Sequence, residues 1–185
     1  MMWWAKYYNR RKKWWRKIGF LGWACMAILV FTAVSCVDHY LLEDSLFKAL
    51  GIYHPPYTTK NESIKAIEII NEIRAKNRVK PIKWDERAYE MALFRAKDMY
   101  KRDYFSHKTP EGLYPKDLKY QFGFTKNELI CENIAKTEYS YDFERAIDLW
   151  ANSMGHFLNM ITPSLDKGAV ACYQDICVFI GVDER

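Results

Sequence analysis

Read as a pattern of apolar and polar positions, the chain opens on one unbroken apolar run and continues as a series of amphipathic segments. Ile18 to Val37 contains no charged residue, and as a helix rising ~1.5 Å per residue it would span about 30 Å, the thickness of a bilayer's hydrocarbon core. From Asp38 to Lys60, Leu41, Leu42, Leu46, Phe47 and Leu50 recur at helical spacing until Gly51 and Pro55-Pro56, which stop that helix and stiffen the stretch into a stalk. Thr59 and Glu62 stand at capping-box spacing and predict a helix that buries Ile64, Ile67, Ile70 and Ile73 and ends near Asn77, ahead of Pro81. A short Pro81-Ile82-Lys83-Trp84 bridge leads to Asp85, a predicted N-cap for a second helix with Ala88, Met91, Ala92, Ala96, Met99 and Tyr100 on one side. Tyr104 to Pro110 reads as loop and Pro115 to Tyr120 as a short helix. Phe143, Ile147, Trp150 and Met154 mark a further helix from near Asp142. Strands are expected mainly at the end, where Gly168 to Val182 is rich in β-branched and aromatic residues and a reversal at Gln174-Asp175 predicts an antiparallel hairpin.

Charge changes the picture of the first segment. The net charge is +5, but Lys6, Arg10, Arg11, Lys12, Lys13, Arg16 and Lys17 supply seven of the 28 basic residues, and no acid precedes Asp38. The remainder carries 21 basic against 23 acidic residues, so the basic patch expected of a nucleic-acid-binding domain is missing from the folded part. Residues 1–17 are read as a basic cytoplasmic arm, with Trp14 and Trp15 at the interface. Residues 18–37 form a transmembrane signal-anchor helix oriented by the positive-inside rule. Everything after Asp38 then lies outside the cytoplasm, on a single-pass protein of the cell membrane. A cleaved signal peptide is the alternative, although its apolar core runs about 7 to 15 residues. Lipidation at Ala33-Val34-Ser35-Cys36 is a third reading.

The hairpin bears on the five cysteines. With the turn centred on Gln174-Asp175, Cys172 stands opposite Cys177, and opposed strand positions lie about 4.5 to 5.5 Å apart at Cα, within disulfide reach. Outside the cytoplasm that bridge is expected to form; the alternative is two buried thiols.

Three stretches concentrate the chemistry: YFSHKTP with Ser106 and His107, CENIA with Glu132 and Asn133, and WANSMGHFLNM with Ser153 and His156. In the order INEIRAKN, PIKWDERAYEMALFRAKDM, YFSHKTPEG, CENIA, AIDLWANSMGHFLNMI, GVDE, the chain resembles the CAP superfamily (cysteine-rich secretory protein, antigen 5, pathogenesis-related 1) in its prokaryotic form, over about Asn61 to Val182. The resemblance implies an α+β fold, a three-layer α-β-α sandwich with a small antiparallel sheet and a cleft, here preceded by the transmembrane helix and the stalk of residues 38–60. It also implies a cleft of two histidines and acidic residues that sometimes takes a divalent metal such as zinc. His107 and His156 match the family's histidines and Glu132 the glutamate of its EN motif, while Ser153 stands where animal and plant members have a second glutamate. His107, His156, Glu132 and water would still make an acceptable zinc site. An empty polar cleft, with the histidines hydrogen-bonded in place, is the simpler reading.

Asn133 is expected to tie loop backbone, and Trp84 and Trp150 to be core. The functional expectation is a binding module for a lipid, peptide or cell-envelope ligand, because no complete catalytic set is visible. The alternatives are a metal-assisted hydrolase in which Glu132 activates a zinc-bound water, a metal-free one with Ser106 or Ser153 as nucleophile, and a structural or adhesive surface protein.

Overall fold

The computed structural model describes residues 56–139 and 141–185. The basic arm, the apolar run at 18–37 and nearly all of the stalk lie outside these residues. Among the described residues no helix is long and apolar enough to cross a membrane.

Helix α1 (Lys60–Lys76) begins where the capping box predicts: Thr59 Oγ1 accepts from Glu62 N, and the Glu62 carboxylate accepts from Thr59 N at 2.7 Å. Ile67 and Ile70 are buried, but Ile64 is exposed. The fully buried Arg74 is its tether, donating to the carbonyls of Lys80, Met160 and Thr162. Strand β1 (Lys83–Trp84) leads to helix α2 (Glu86–Lys101), whose N-cap Asp85 accepts from Ala88 N at 2.9 Å. Ala88, Met91, Ala92, Ala96 and Met99 are completely buried as the spacing predicts, while Tyr100 is exposed and sets its ring edge-on to Tyr173.

Helix α3 (Pro115–Leu118) runs into a 3₁₀ turn (Lys119–Phe122), and β2 (Glu128–Lys136) follows. Helices α4 (Phe143–Ala151) and α5 (Met154–Met160) precede the hairpin of β3 (Lys167–Tyr173) and β4 (Ile176–Glu184). The predicted continuation of α4 through Met154 is corrected: the chain turns extended at Ser153 (φ −114°) and restarts, leaving Met154 74% exposed.

The sheet order is β1-β3-β4-β2. β4 is antiparallel to both neighbours, but β1 is parallel to β3, with Lys83 opposite Lys167 and Trp84 opposite Gly168. The wholly antiparallel sheet of the sequence reading is therefore corrected to a mixed one. The parallel pair forms because Lys83 N and Asp85 N donate to the carbonyls of Asp166 and Gly168. One sheet face carries Ala169, Ala171, Val178, Ile180 and Val182 against α2. The other carries Val170, Cys172, Cys177 and Phe179 against α1, α4 and Met160 of α5. These are the three layers.

Cys172 and Cys177 are bridged across the hairpin, opposite one another in the register. The fold reaches back to Thr58, which is completely buried: its N–H donates to the Cys172 carbonyl and its Oγ1 accepts from Cys172 N, both at 3.0 Å.

Candidate functional site

The site is organised by a residue on the apolar face of α2. Arg95 is completely buried between Ala92, Ala96 and Met99, and a guanidinium there demands compensation. It receives four bonds' worth: Nε donates to Glu132 Oε2 at 2.8 Å, Nη2 to Glu132 Oε1 at 3.4 Å and to Ser106 O at 2.8 Å, and Nη1 to Tyr104 Oη at 2.8 Å. Burial disfavours its charge, but the hydrogen bond and negative charge of Glu132 overcome this and hold its pKa above the ordinary value. The same three fingers join α2, β2 and the loop that carries His107. Burial, then the hydrogen bond to Asp98, push the Tyr104 phenol up to about 12, so it remains a neutral donor.

Glu132, its side chain 2% exposed, completes its shell with His107, whose Nδ1 lies 2.8 Å from Oε1. That contact turns Nε2 of a half-exposed imidazole away from the carboxylate. His107 and Glu132 are thus in direct contact. Ser106 presents its carbonyl to Arg95 and its Oγ to Lys108 N, a turn-forming role on this geometry.

His156 comes from α5 and sits apart from that pair. Its Nδ1 is 2.9 Å from Ser153 Oγ, and its carbonyl accepts from Asn133 Nδ2 at 2.9 Å. Asn133, completely buried, also accepts from Asn159 Nδ2 at 2.9 Å, so the side chain next to Glu132 fixes the backbone of α5. Burial, then the charge of His107, hold the His156 pKa below its ordinary value. The imidazoles therefore feel one another without sharing a hydrogen-bond partner.

A cavity of about 410 Å³ is lined by His107, Tyr114, Pro115, Lys116, Ile130 and Glu132; His156 is outside its lining. A second, of about 520 Å³, lies beyond Tyr104, between Tyr100, Phe105 and Asp175. It holds neither histidine nor Glu132, so the smaller cavity is the one that belongs to the chemistry.

The donors expected for zinc do not fit a common ion in this arrangement. Both carboxylate oxygens of Glu132 are engaged, Oε2 by Arg95 and Oε1 by Arg95 and His107, and a carboxylate neutralised by a buried guanidinium is a poor ligand. Among the described residues no group of three His, Cys, Asp or Glu side chains is placed to hold a metal. Sequence reading missed Arg95, although the signal was present: one charged residue inside an apolar helical stripe has to be partnered.

A three-layer α-β-α unit with a mixed four-stranded sheet, and a cleft built on a histidine and a buried glutamate, defines the class. The chain belongs to the cysteine-rich secretory protein family (CAP), which it matches over residues 67–177. Two proteins of Bacillus subtilis strain 168, the uncharacterized protein YkwD and the uncharacterized membrane protein YlbC, are each 33% identical over 100 residues, 54% of this chain. The match spans 38% and 27% of their lengths, so the chain covers well under half of these relatives. A solved extracellular protein containing an SCP domain from Bacillus anthracis is 26% identical with a TM-score of 0.59, over 65% of this chain and 39% of that one.

Proposed function

We propose that the chain is a membrane-tethered, extracytoplasmic binding module whose His107 cleft takes a lipid, peptide or cell-envelope ligand. The observation that carries this reading is the double engagement of Glu132 by Arg95 and His107. A carboxylate so neutralised anchors an imidazole in a cavity wall and is badly placed to serve as a general base. The apolar run at 18–37 supplies the tether. The similarity to proteins described as a membrane protein and as an extracellular protein agrees with that placement.

The test follows the imidazole resonances of His107 and His156 by NMR, on the full chain in lipid nanodiscs, as lipid, peptide and glycan fractions of the envelope are added. A saturable shift of the His107 resonance from one class is the expected result; no response to any class overturns the proposal. Zinc calorimetry on the same sample is expected to show no micromolar site that disappears in both His107→Ala and His156→Ala. Such a site would restore the metal-assisted hydrolase.

One contact favours a second reading. Ser153 Oγ and His156 Nδ1 are at nucleophile–base distance, and a lowered pKa keeps that imidazole neutral and able to accept a proton. Against it, the other nitrogen of His156 meets no carboxylate among the described residues. A fluorophosphonate probe labelling the wild type but not Ser153→Ala would establish a serine hydrolase; no labelling is expected.

A further inference from the structure

The floor of the His107 cavity includes Ile130 and Glu132 of β2, and β2 is an edge strand of the sheet. Which way its backbone groups point follows from the register. On β3, Gly168 O accepts from Asp85 N and Cys172 O from Thr58 N, so these residues turn away from β4. Ala169 and Ala171 therefore make the hydrogen bonds to β4, through Ile180 and Val178. By alternation Phe179, Gly181 and Asp183 face β2 and bond Asn133, Cys131 and Leu129. Ile130 and Glu132, both lining the cavity, then point their backbone groups outward from the free edge of the sheet.

The same parity appears at two neighbouring carbonyls. Glu128 O accepts from Lys119 Nζ, and Glu132 O accepts from Asn159 Nδ2 at 3.5 Å. Side chains thus cap the edge at both ends of a short window. Within it Ile130 N–H, Ile130 C=O and Glu132 N–H have no partner among the described residues. Polar backbone groups in a half-buried cleft favour a ligand that pairs with them. An alkyl chain would leave all three unmet, whereas an extended peptide matches them at the spacing of a strand.

Charge narrows the peptide. Lys108 and Lys116 hold their ammonium groups 5.8 and 5.9 Å from the centre of the exposed Tyr114 ring at the mouth, and neither has a carboxylate partner among the described residues. Glu132, the cavity's own acid, is already neutralised by Arg95. We propose that the cleft binds an extended peptide bearing a carboxylate, which adds a short strand to β2 at Ile130 and Glu132 and sets its carboxylate between Lys108 and Lys116. This rests on the cleft being a binding site.

The probes are a complete panel of N-acetyl tetrapeptides of Ala, Val, Thr and Glu with a free C-terminal carboxylate, added to the full chain in nanodiscs. The tightest binder is remade with each backbone nitrogen methylated in turn, and as the C-terminal amide. At saturation the exchange of the Ile130 and Glu132 amide protons is expected to slow at least tenfold. N-methylation is expected to weaken binding about tenfold at alternate positions only, since successive N–H groups of a strand point in opposite directions. The carboxylate form is expected to bind several-fold tighter than the amide, an advantage absent from the Lys108→Ala/Lys116→Ala double variant. Ile130→Pro, which removes an N–H the sheet does not use, is expected to abolish the alternation. Tight binding that tolerates methylation everywhere overturns strand addition while leaving the cleft a binding site. So does a panel with no binder when dioleoylphosphatidylglycerol vesicles or a glycan fraction still shift His107. If neither peptide nor any other class perturbs His107, both readings fall.

Discussion

Arg95 shows how one buried charge disciplines its surroundings. A guanidinium on the apolar face of α2 is tolerated only because a carboxylate, a phenol and a carbonyl meet it, and removing the cation would strand Glu132 in the interior. Arg95→Ala is expected to lower the unfolding free energy by about 3–5 kcal/mol in urea titrations. Adding Glu132→Gln to that variant should recover part of the loss, because the uncompensated charge disappears. His156 carries a pH signature. Its pKa is lower folded than unfolded, so below about pH 6.5 the unfolded chain takes up a proton that the folded chain refuses. Stability therefore falls as pH drops from about 6.5 toward the folded pKa, and is retained above that window. His156→Asn is expected to flatten this slope relative to wild type, read from urea midpoints at successive pH values. Neither effect was legible from the residues alone: Arg95 could be flagged as anomalous in its stripe, but its partner is 37 residues away.

At the scale of elements, local chemistry decided most boundaries. The caps at Thr59 and Asp85 were readable because a cap is settled by residues three apart. The Cys172–Cys177 bridge was readable because a two-residue reversal fixes which positions oppose. Peptide mapping is expected to show both cysteines resisting alkylation in the denatured chain until reduction. Reduction should cost roughly 2 kcal/mol, the loop-closure value for so short a loop. β2 escaped notice because its sequence lacks the alternation of a half-exposed strand: Glu132 and Asn133 are buried consecutively, each held by a partner on a different helix. The start of α4 at Asp142 was readable from its apolar spacing, but that it stops at Ala151 and leaves Met154 facing solvent depends on where α5 turns away.

For the whole molecule, the tether and the folded unit call for separate tests. If residues 18–37 anchor the chain with its basic arm inside, protease added to intact spheroplasts should remove Pro55–Arg185 and leave a membrane-bound fragment resistant to carbonate extraction. Soluble release of the intact chain, or complete protection, would overturn that orientation. Family membership, shown over residues 67–177, constrains the fold more tightly than the ligand, because one fold carries many sites.

The sequence by itself determined α1 and α2 with their caps, the start of α4, the hairpin and its disulfide, and the family, since these follow from periodicity, short-range hydrogen bonding and ordered motifs. It also singled out His107 and Glu132, which the fold brings into direct contact. Only the tertiary structure decided what they do there. Whether Glu132 is a free ligand or a neutralised anchor depends on Arg95 arriving from α2, and whether Ile130 faces a neighbour or a cavity depends on the order of strands in the sheet. The physical reason is that the electrostatics and hydrogen-bond satisfaction of a buried group are set by elements remote in sequence, which local pattern does not encode.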